Sequence, residues 1–312
     1  MKPQTSTAET LKISVVFVGT VEDAGFNRSA LDGVLAARRT GGAEIGIVDG
    51  VFYEDTAMAA ALREAAVRSD GVVFVGGQGN RVTPPVAEAF PDRGFAVVQG
   101  HVAGPNLASY DVLQEQSAFL AGVLAARLTR TGIVGHLSGH RVAPGLKGRA
   151  AYAAGVRHSF PGVRLLTGFC GTQDDGITAE AWAGAMAAAG ADILFTMLNA
   201  ARDGATRACR AAGIRQIGNA TDWTTRDPAV FMASAVARID LGVARAIADR
   251  IARRRPASVL TLGLADKAVD LVMRPDVPSA CREEITGLAR RVAAGDVEIA
   301  SSYDGPDFEL SP

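Results

Sequence analysis

Short apolar runs rich in β-branched residues alternate with longer Ala-rich stretches along nearly the whole chain, and no other feature restricts the fold as strongly. The runs fall at residues 12–18, 45–48, 71–75, 95–99, 132–137, 163–167, 193–196, 215–217 and 231–235. Each is mainly apolar without a polar alternate, the pattern of strands covered on both faces. Stretches at 27–39, 56–68, 114–129, 145–159, 177–189 and 203–212 have helical composition. Strand–helix alternation at this spacing predicts parallel sheets with right-handed crossovers. About nine to eleven strands exceed one ordinary open sheet, so two sheets are expected. A chain of 312 residues also exceeds what one core usually organises.

A helix at 240–254, followed by Pro256 and a strand at 258–262, sends the chain back to the first lobe before it ends in the second. The expected fold class is α/β, with two Rossmann-like doubly wound lobes joined by three hinge crossovers. The expected lobes are 11–105 with 235–258, and 106–234 with 259–312. Hinges are expected near 106–110, 231–234 and 258–262, with the ligand cleft between the lobes.

Apolar residues make up 48% of the chain, charged residues 21%, and the net charge is −1. That balance excludes the basic excess of a nucleic-acid binder. No apolar run approaches the ~18–20 residues that span a bilayer. Cys170, Cys209 and Cys281 show no CxxC or Cys/His spacing, and read as small buried hydrophobes. The start, residues 1–10, lacks the basic-then-apolar pattern of a signal peptide. The expected location is periplasmic if an export signal has been removed, and cytoplasmic otherwise.

In open parallel sheets ligands sit outside the carboxyl ends of strands, which directs attention to the loops at 19–29, 76–81, 198–204 and 218–227. In the first, Asp23 precedes Phe26 and Asn27 at the opening of a helix. Phe26 offers a flat face to a ring and Asn27 a donor and an acceptor to its edge. The plain alternative is a hydrophobic staple with Asn27 or Ser29 as the helix cap. Gln78 sits in a Gly-rich loop that departs from G-x-G-x-x-G, with Thr83, Pro84 and Pro85 where a dinucleotide-binding helix would begin. That loop reads as one that lets backbone approach a ligand. Trp223 beside Asp222 suits a planar nitrogenous ligand, one stacking and the other accepting N–H bonds, against simple packing under a hinge. Trp182 reads as core. His136 and His140 straddle a strand-end turn and do not form a zinc pair. Asp174 and Asp175 read as a solvated loop or helix cap, and Arg226 with Asp227 as a surface pair.

The chain resembles the basic membrane protein family, the nucleoside-binding lipoproteins of bacterial ABC importers (the purine nucleoside receptor group). The likeness runs over about 12–301. It includes DAGFNRSALDG at 23–33, Phe90-Pro91-Asp92, NLASYDVLQEQSAFLAGVLAA at 106–126, TGIVGHLSG at 131–139, Gly190-Ala191-Asp192-Ile193 and Ile217-Gly218. The resemblance implies a type I periplasmic-binding-protein fold. It implies that Phe26 stacks on a purine and Asn27 bonds the ligand. The family's ribose-binding acid falls at Ala220 here, its assisting Lys at Ala237, and its second aromatic at Thr206. Without that acid and Lys, ribose hydroxyls would go unpaired, at about 1–3 kcal/mol each.

The expected function is therefore a substrate-binding protein of a bacterial ABC importer, taking a purine nucleobase or similar small heterocycle rather than a nucleoside. The candidate ligand set is Asp23, Phe26, Asn27, Gln78, Asp111, Asn199, Asp222 and Trp223. No catalytic residue, metal or cofactor is expected. The partners are a heterocyclic ligand and a membrane permease, with no nucleic acid, and the chain is expected to be a monomer. A cytoplasmic ligand-sensing module of the same fold is one alternative, since no Cys for lipid attachment lies near the start. A nicotinamide-dependent oxidoreductase is the other.

Overall fold

The computed structural model describes residues 10–310; the polar opening at 1–9 and residues 311–312 lie outside the described residues. In chain order the elements begin β1 (Lys12–Val18), α1 (Phe26–Thr40), β2 (Glu44–Val51), α2 (Asp55–Arg68), β3 (Gly71–Val75), α3 (Gly79–Ala89), β4 (Gly94–Val98) and β5 (Leu107–Val112). They continue α4 (Gln114–Leu128), β6 (Ile133–Ser138), α5 (Ala143–Ser159), β7 (Arg164–Phe169), α6 (Gly176–Ala188), β8 (Ile193–Met197), α7 (Arg202–Ala212) and β9 (Arg215–Ala220). The chain closes with β10 (Phe231–Ala237), α8 (Ile239–Ile251), β11 (Val259–Leu262), β12 (Val269–Met273) and α9 (Ser279–Ala293).

Two six-stranded sheets result, ordered β11-β5-β4-β3-β1-β2 and β12-β10-β9-β8-β6-β7. β1 through β5 pair in parallel in the first, and β6 through β10 in the second, where β12 alone is antiparallel. β3, β4 and β8 are buried along their whole length, which is why their sequences show no polar alternate.

By contacts the chain divides into two units. Of the described residues, the first holds 10–20, Leu31–Tyr110 and Gly242–Leu260; the second holds Val21–Ala30, Asp111–Leu241 and 261–310. The first core gathers Met58, Leu62, Phe74, Val86 and Phe95, residues 0–2% exposed. Burying one such side chain contributes about 1.5–3 kcal/mol. The second unit is packed on both sheet faces, around Phe119, Tyr152 and Phe195 on one and Leu194, Cys209 and Phe231 on the other.

Twelve strands are present among the described residues, more than the sequence suggests. From the sequence a hinge is expected near 106–110, at the start of β5. All six residues of β5 are buried nonetheless. Ser109 is satisfied locally, donating to the Val102 carbonyl and accepting from its N–H at 2.5 and 3.1 Å. Its neighbour Tyr110 donates to Asp249 at 2.9 Å, fastening β5 to α8. β5 pairs with β4 in the first sheet, and β10 stays paired with β9 and β12 out to Val236 and Ala237. Divisions after 105 and 234 would therefore split an element from its ladder.

The helix α3 corrects a second expectation. Pro84 and Pro85 lie inside it rather than barring it. The amides of Gly79, Asn80 and Arg81 bond three residues back, so the helix opens as a tight turn before the prolines remove their own donors. Two glycines at its start also have structural causes. Gly76 holds φ at +122°, and a Cβ on Gly79 would lie 2.6 Å from the Phe74 ring and 2.8 Å from Val97.

Smaller corrections follow from packing. Trp182 is half-buried and meets Phe308 edge-on at 6.2 Å, where the Phe308 N–H donates to Thr167 on the edge strand β7. Cys209 and Cys281 are buried as expected, whereas Cys170 is half-buried with its thiol donating to the Thr172 carbonyl.

Candidate functional site

The segment Val21–Ala30 follows β1 and opens α1. Asp23, only 2% exposed, organises it. One carboxylate oxygen accepts from the N–H groups of Gly25 and Arg28, both at 2.9 Å, and the other from Asn27 at 2.8 Å. The cap is thus Asp23, not Asn27 or Ser29, because a carboxylate with two oxygens can satisfy three of the orphan amides at a helix start. Burial pushes the Asp23 carboxyl above the usual range, against those three donors and the nearby Arg202 charge. Both its oxygens are already in use by backbone. Asn27 is 3% exposed and Phe26 is half-buried.

Arg202 opens α7 at the end of the loop after β8, and it is the residue that sequence reasoning misses. It is 1% exposed. Its guanidinium donates to the carbonyls of Leu198 at 3.3 Å and Asp23 at 3.2 Å, and its Nε has no acceptor. Its central carbon lies 3.4 Å from the centre of the Trp223 ring. Burial pushes its pKa down to about 10, which leaves it charged at neutral pH.

Trp223 therefore does not stand open at a loop edge. It is 7% exposed, donates from its indole nitrogen to the Asn219 carbonyl at 3.0 Å, and packs on Phe231. Arg226 also lies over the ring, at 4.7 Å, while donating to the Ala24 carbonyl at 3.1 Å. The expected surface pair of Arg226 with Asp227 is not formed in this way: Asp227 bonds Arg210 instead. The indole face and the Ala24 carbonyl engage Arg226 in place of Asp227. Asp222 turns back on its own loop and accepts from the N–H and hydroxyl of Thr224, at 2.8 and 2.7 Å. Asn199 lies one turn before Arg202 and takes its backbone N–H at 3.1 Å.

Asp23, Phe26, Asn27, Asn199, Asp222 and Trp223 thus share the second unit, with Arg202 touching three of their segments. Asp111 is grouped with that unit too, but lies near the end of β5, where Lys147 bridges it and Glu115 at 2.7 and 2.8 Å. Against the burial that lowers it, those two carboxylates hold Lys147 above the usual lysine range.

Gln78 belongs to the first unit and is half-buried. Near the same strand ends lies a residue with no sequence signal. Gln99 follows β4 with φ at +69°, is 2% exposed, and has neither side-chain oxygen nor nitrogen bonded. A strained backbone carrying an unpaired buried amide is a marked cost at a strand's carboxyl end.

The positions where the resemblance places a diol-binding acid and Lys are buried alanines: Ala220 is 2% exposed and Ala237 is 1% exposed. Thr206, at the place of a second aromatic, is locked inside α7. Its hydroxyl donates to the Arg202 carbonyl and bonds Gln216, both at 2.9 Å. No cluster of His, Cys, Asp and Glu fit for a metal occurs among the described residues. His136 is fully buried, bonds Thr167 at 2.9 Å, and is pushed down to about 3 by burial. Asp175 caps α6, accepting from Ile177 and Thr178. No helix among the described residues is long and apolar enough to cross a membrane.

Comparison with known proteins agrees with this architecture. The chain is 26% identical to Basic membrane protein A of Borreliella burgdorferi over 172 residues, covering 54% of the chain and 50% of that protein. It is 24% identical to the ABC transporter nucleoside-binding protein BmpA of Lactococcus lactis, covering 56% of the chain and 51% of that protein. These two alignments span about half the length of each relative. Among solved structures, an ABC transporter solute-binding protein from Aeropyrum pernix superposes with a TM-score of 0.84 at 19% identity, covering 94% of each chain. A transcriptional activator of the comK gene from Bacillus halodurans superposes at 0.74 with 18% identity, over 92% of this chain and 99% of that one. Both likenesses show the fold. The Bmp family, described as ABC transporter substrate-binding protein PnrA-like, matches residues 10–293, and the chain belongs to it.

Proposed function

We propose that this substrate-binding protein takes a free nucleobase or similar planar heterocycle in preference to a ribonucleoside, with Phe26 stacking on the ring and Asn27 bonding its edge. The observation that carries the reading is the pair Ala220 and Ala237, both buried and neither able to bond a sugar diol. Hydroxyls left unpaired in such a corner cost about 1–3 kcal/mol each. Arg202, whose buried Nε lacks a partner, supplies a bond to a heterocycle's edge instead.

A ligand that binds one arrangement of the chain better than another shifts the population toward it. A membrane permease that reads this arrangement, and an extracytoplasmic location, complete the proposal. Calorimetric titration with adenine, adenosine, hypoxanthine and inosine tests it. Each base is expected to bind at least tenfold more tightly than its ribonucleoside, and the reverse order would overturn the reading.

A second reading, a ligand-sensing regulatory module, draws on the likeness to the comK activator. It shares the binding step and differs in the partner. Cofractionation with the membrane permease of an importer, against recovery with a cytoplasmic partner, separates the two.

A further inference from the structure

We propose that Arg202 is the specificity-determining residue of this site and selects an anionic oxo-heterocycle, of the urate type, over a neutral amino-heterocycle. The inference rests on the ring-binding reading above and names the class of ring.

Three observations carry it. First, Arg202 is a buried cation to which, among the described residues, no carboxylate is bonded. Its hydrogen-bond partners are two backbone carbonyls, and its Nε, in a residue only 1% exposed, has none. A guanidinium is a donor only, so what completes it must be an acceptor, and a charged acceptor does so best. The neighbouring Asp23 carboxylate does not serve: its oxygens accept from three backbone N–H groups, and Arg202 meets only the Asp23 carbonyl. Second, Asn219, 5% exposed and next to last in β9, has its side-chain oxygen unbonded. Trp223 joins the two, donating to the Asn219 carbonyl while carrying Arg202 on its ring. An acceptor and a donor without partners flank one indole, and a urate-type ring presents both oxo acceptors and ring N–H donors along its edges. Third, a second guanidinium lies over the same ring: that of Arg226, 4.7 Å from its centre.

Arg202 also touches the loop that bears Phe26 and Asn27. A Cβ on Gly25 would come within 2.8 Å of its Nη1, so Gly25→Ala displaces the guanidinium without removing its charge.

The test is calorimetry of the full chain with urate, hypoxanthine and adenine, for wild type, Arg202→Gln, Arg202→Lys and Gly25→Ala. Wild type is expected to bind urate at least tenfold more tightly than adenine. Arg202→Gln should weaken urate ten- to a hundredfold, about the worth of a charge-assisted bond, and shift adenine less than about threefold. Arg202→Lys should recover part of the urate preference, and Gly25→Ala should lower it. The ratio of urate to adenine affinity is the readout, because a merely structural role would weaken both alike. If Arg202→Gln fails to fold, the ratio in Gly25→Ala decides. An unchanged ratio in the folded variants, or adenine bound as tightly as urate by wild type, overturns the inference and leaves the ring reading standing. Binding of none of the three rings overturns both.

Discussion

The guanidinium of Arg202 lies flat enough on Trp223 for its central carbon to sit 3.4 Å from the ring centre, although 1% of the Arg and 7% of the Trp are exposed. A charged group and an indole have excluded water together, in a unit whose other buried residues are mostly apolar. Trp223 also holds Asn219 and receives Arg226, so several segments converge on one side chain.

Removing that ring should be costly. Trp223→Ala is expected to lose about 3–5 kcal/mol of stability. Trp223→Phe, which keeps an aromatic face but drops the bond to Asn219, should lose about 1 kcal/mol. Urea midpoints at an unchanged denaturant slope measure both. A loss under about 0.5 kcal/mol in the alanine variant would contradict a packed role.

Asp23 supports three backbone amides, and its replacement by Ala leaves all three without an acceptor. The expected loss is about 2–3 kcal/mol, with Asp23→Asn losing less because one oxygen remains. Thermal unfolding of the two variants gives the comparison. Equal stability of wild type and Asp23→Ala would show that the start of α1 needs no cap.

His136 sets a pH dependence. Its folded pKa of about 3 lies below the ordinary histidine value of 6.5, so the folded state binds fewer protons than the unfolded chain between those limits. Stability from this group is complete above the ordinary value and declines as pH falls toward the folded one, by up to about 1.4 kcal/mol per pH unit. His136→Gln lacks that titration. Urea unfolding between about pH 7 and about pH 4 should show a steeper decline in wild type than in the variant. Parallel declines would contradict a neutral buried imidazole.

The Tyr110 hydroxyl donates to a carboxylate 1% exposed, on Asp249, which Arg245 and Arg254 also hold. Burial and that carboxylate push the Tyr110 phenol above its usual range. Tyr110→Phe should therefore cost about 1.5–3 kcal/mol, the worth of a bond to a charged group. Chemical denaturation checks it, and a loss near zero would mean that the arginines compensate fully.

The two-sheet plan is legible in the sequence because strands such as β3 and β8, buried on both faces, carry an unbroken apolar signal. β5 and α3 are hidden for opposite reasons. Residues 106–110 read as a hinge until the partners of Ser109 and Tyr110 are known, and Pro84 and Pro85 look like breakers although the helix has already begun. At the site, the loop with Asp23, Phe26 and Asn27 stands out by its motif. Arg202 does not, because the carbonyl it meets on Asp23 is 179 positions away and nothing local marks it as buried. Gln99 is silent for the same reason: an unpaired amide is a property of the folded surroundings, not of the residue.

The central claim is that a planar ring, without its sugar, is held against Phe26. The most direct test is calorimetric titration of wild type and Phe26→Ala with a free purine base and its ribonucleoside. The expected result is tighter binding of the base by wild type, and a loss of about five- to tenfold in Phe26→Ala, the worth of one aromatic stack. Affinity unchanged in Phe26→Ala, or a ribonucleoside bound more tightly than its base, would contradict it.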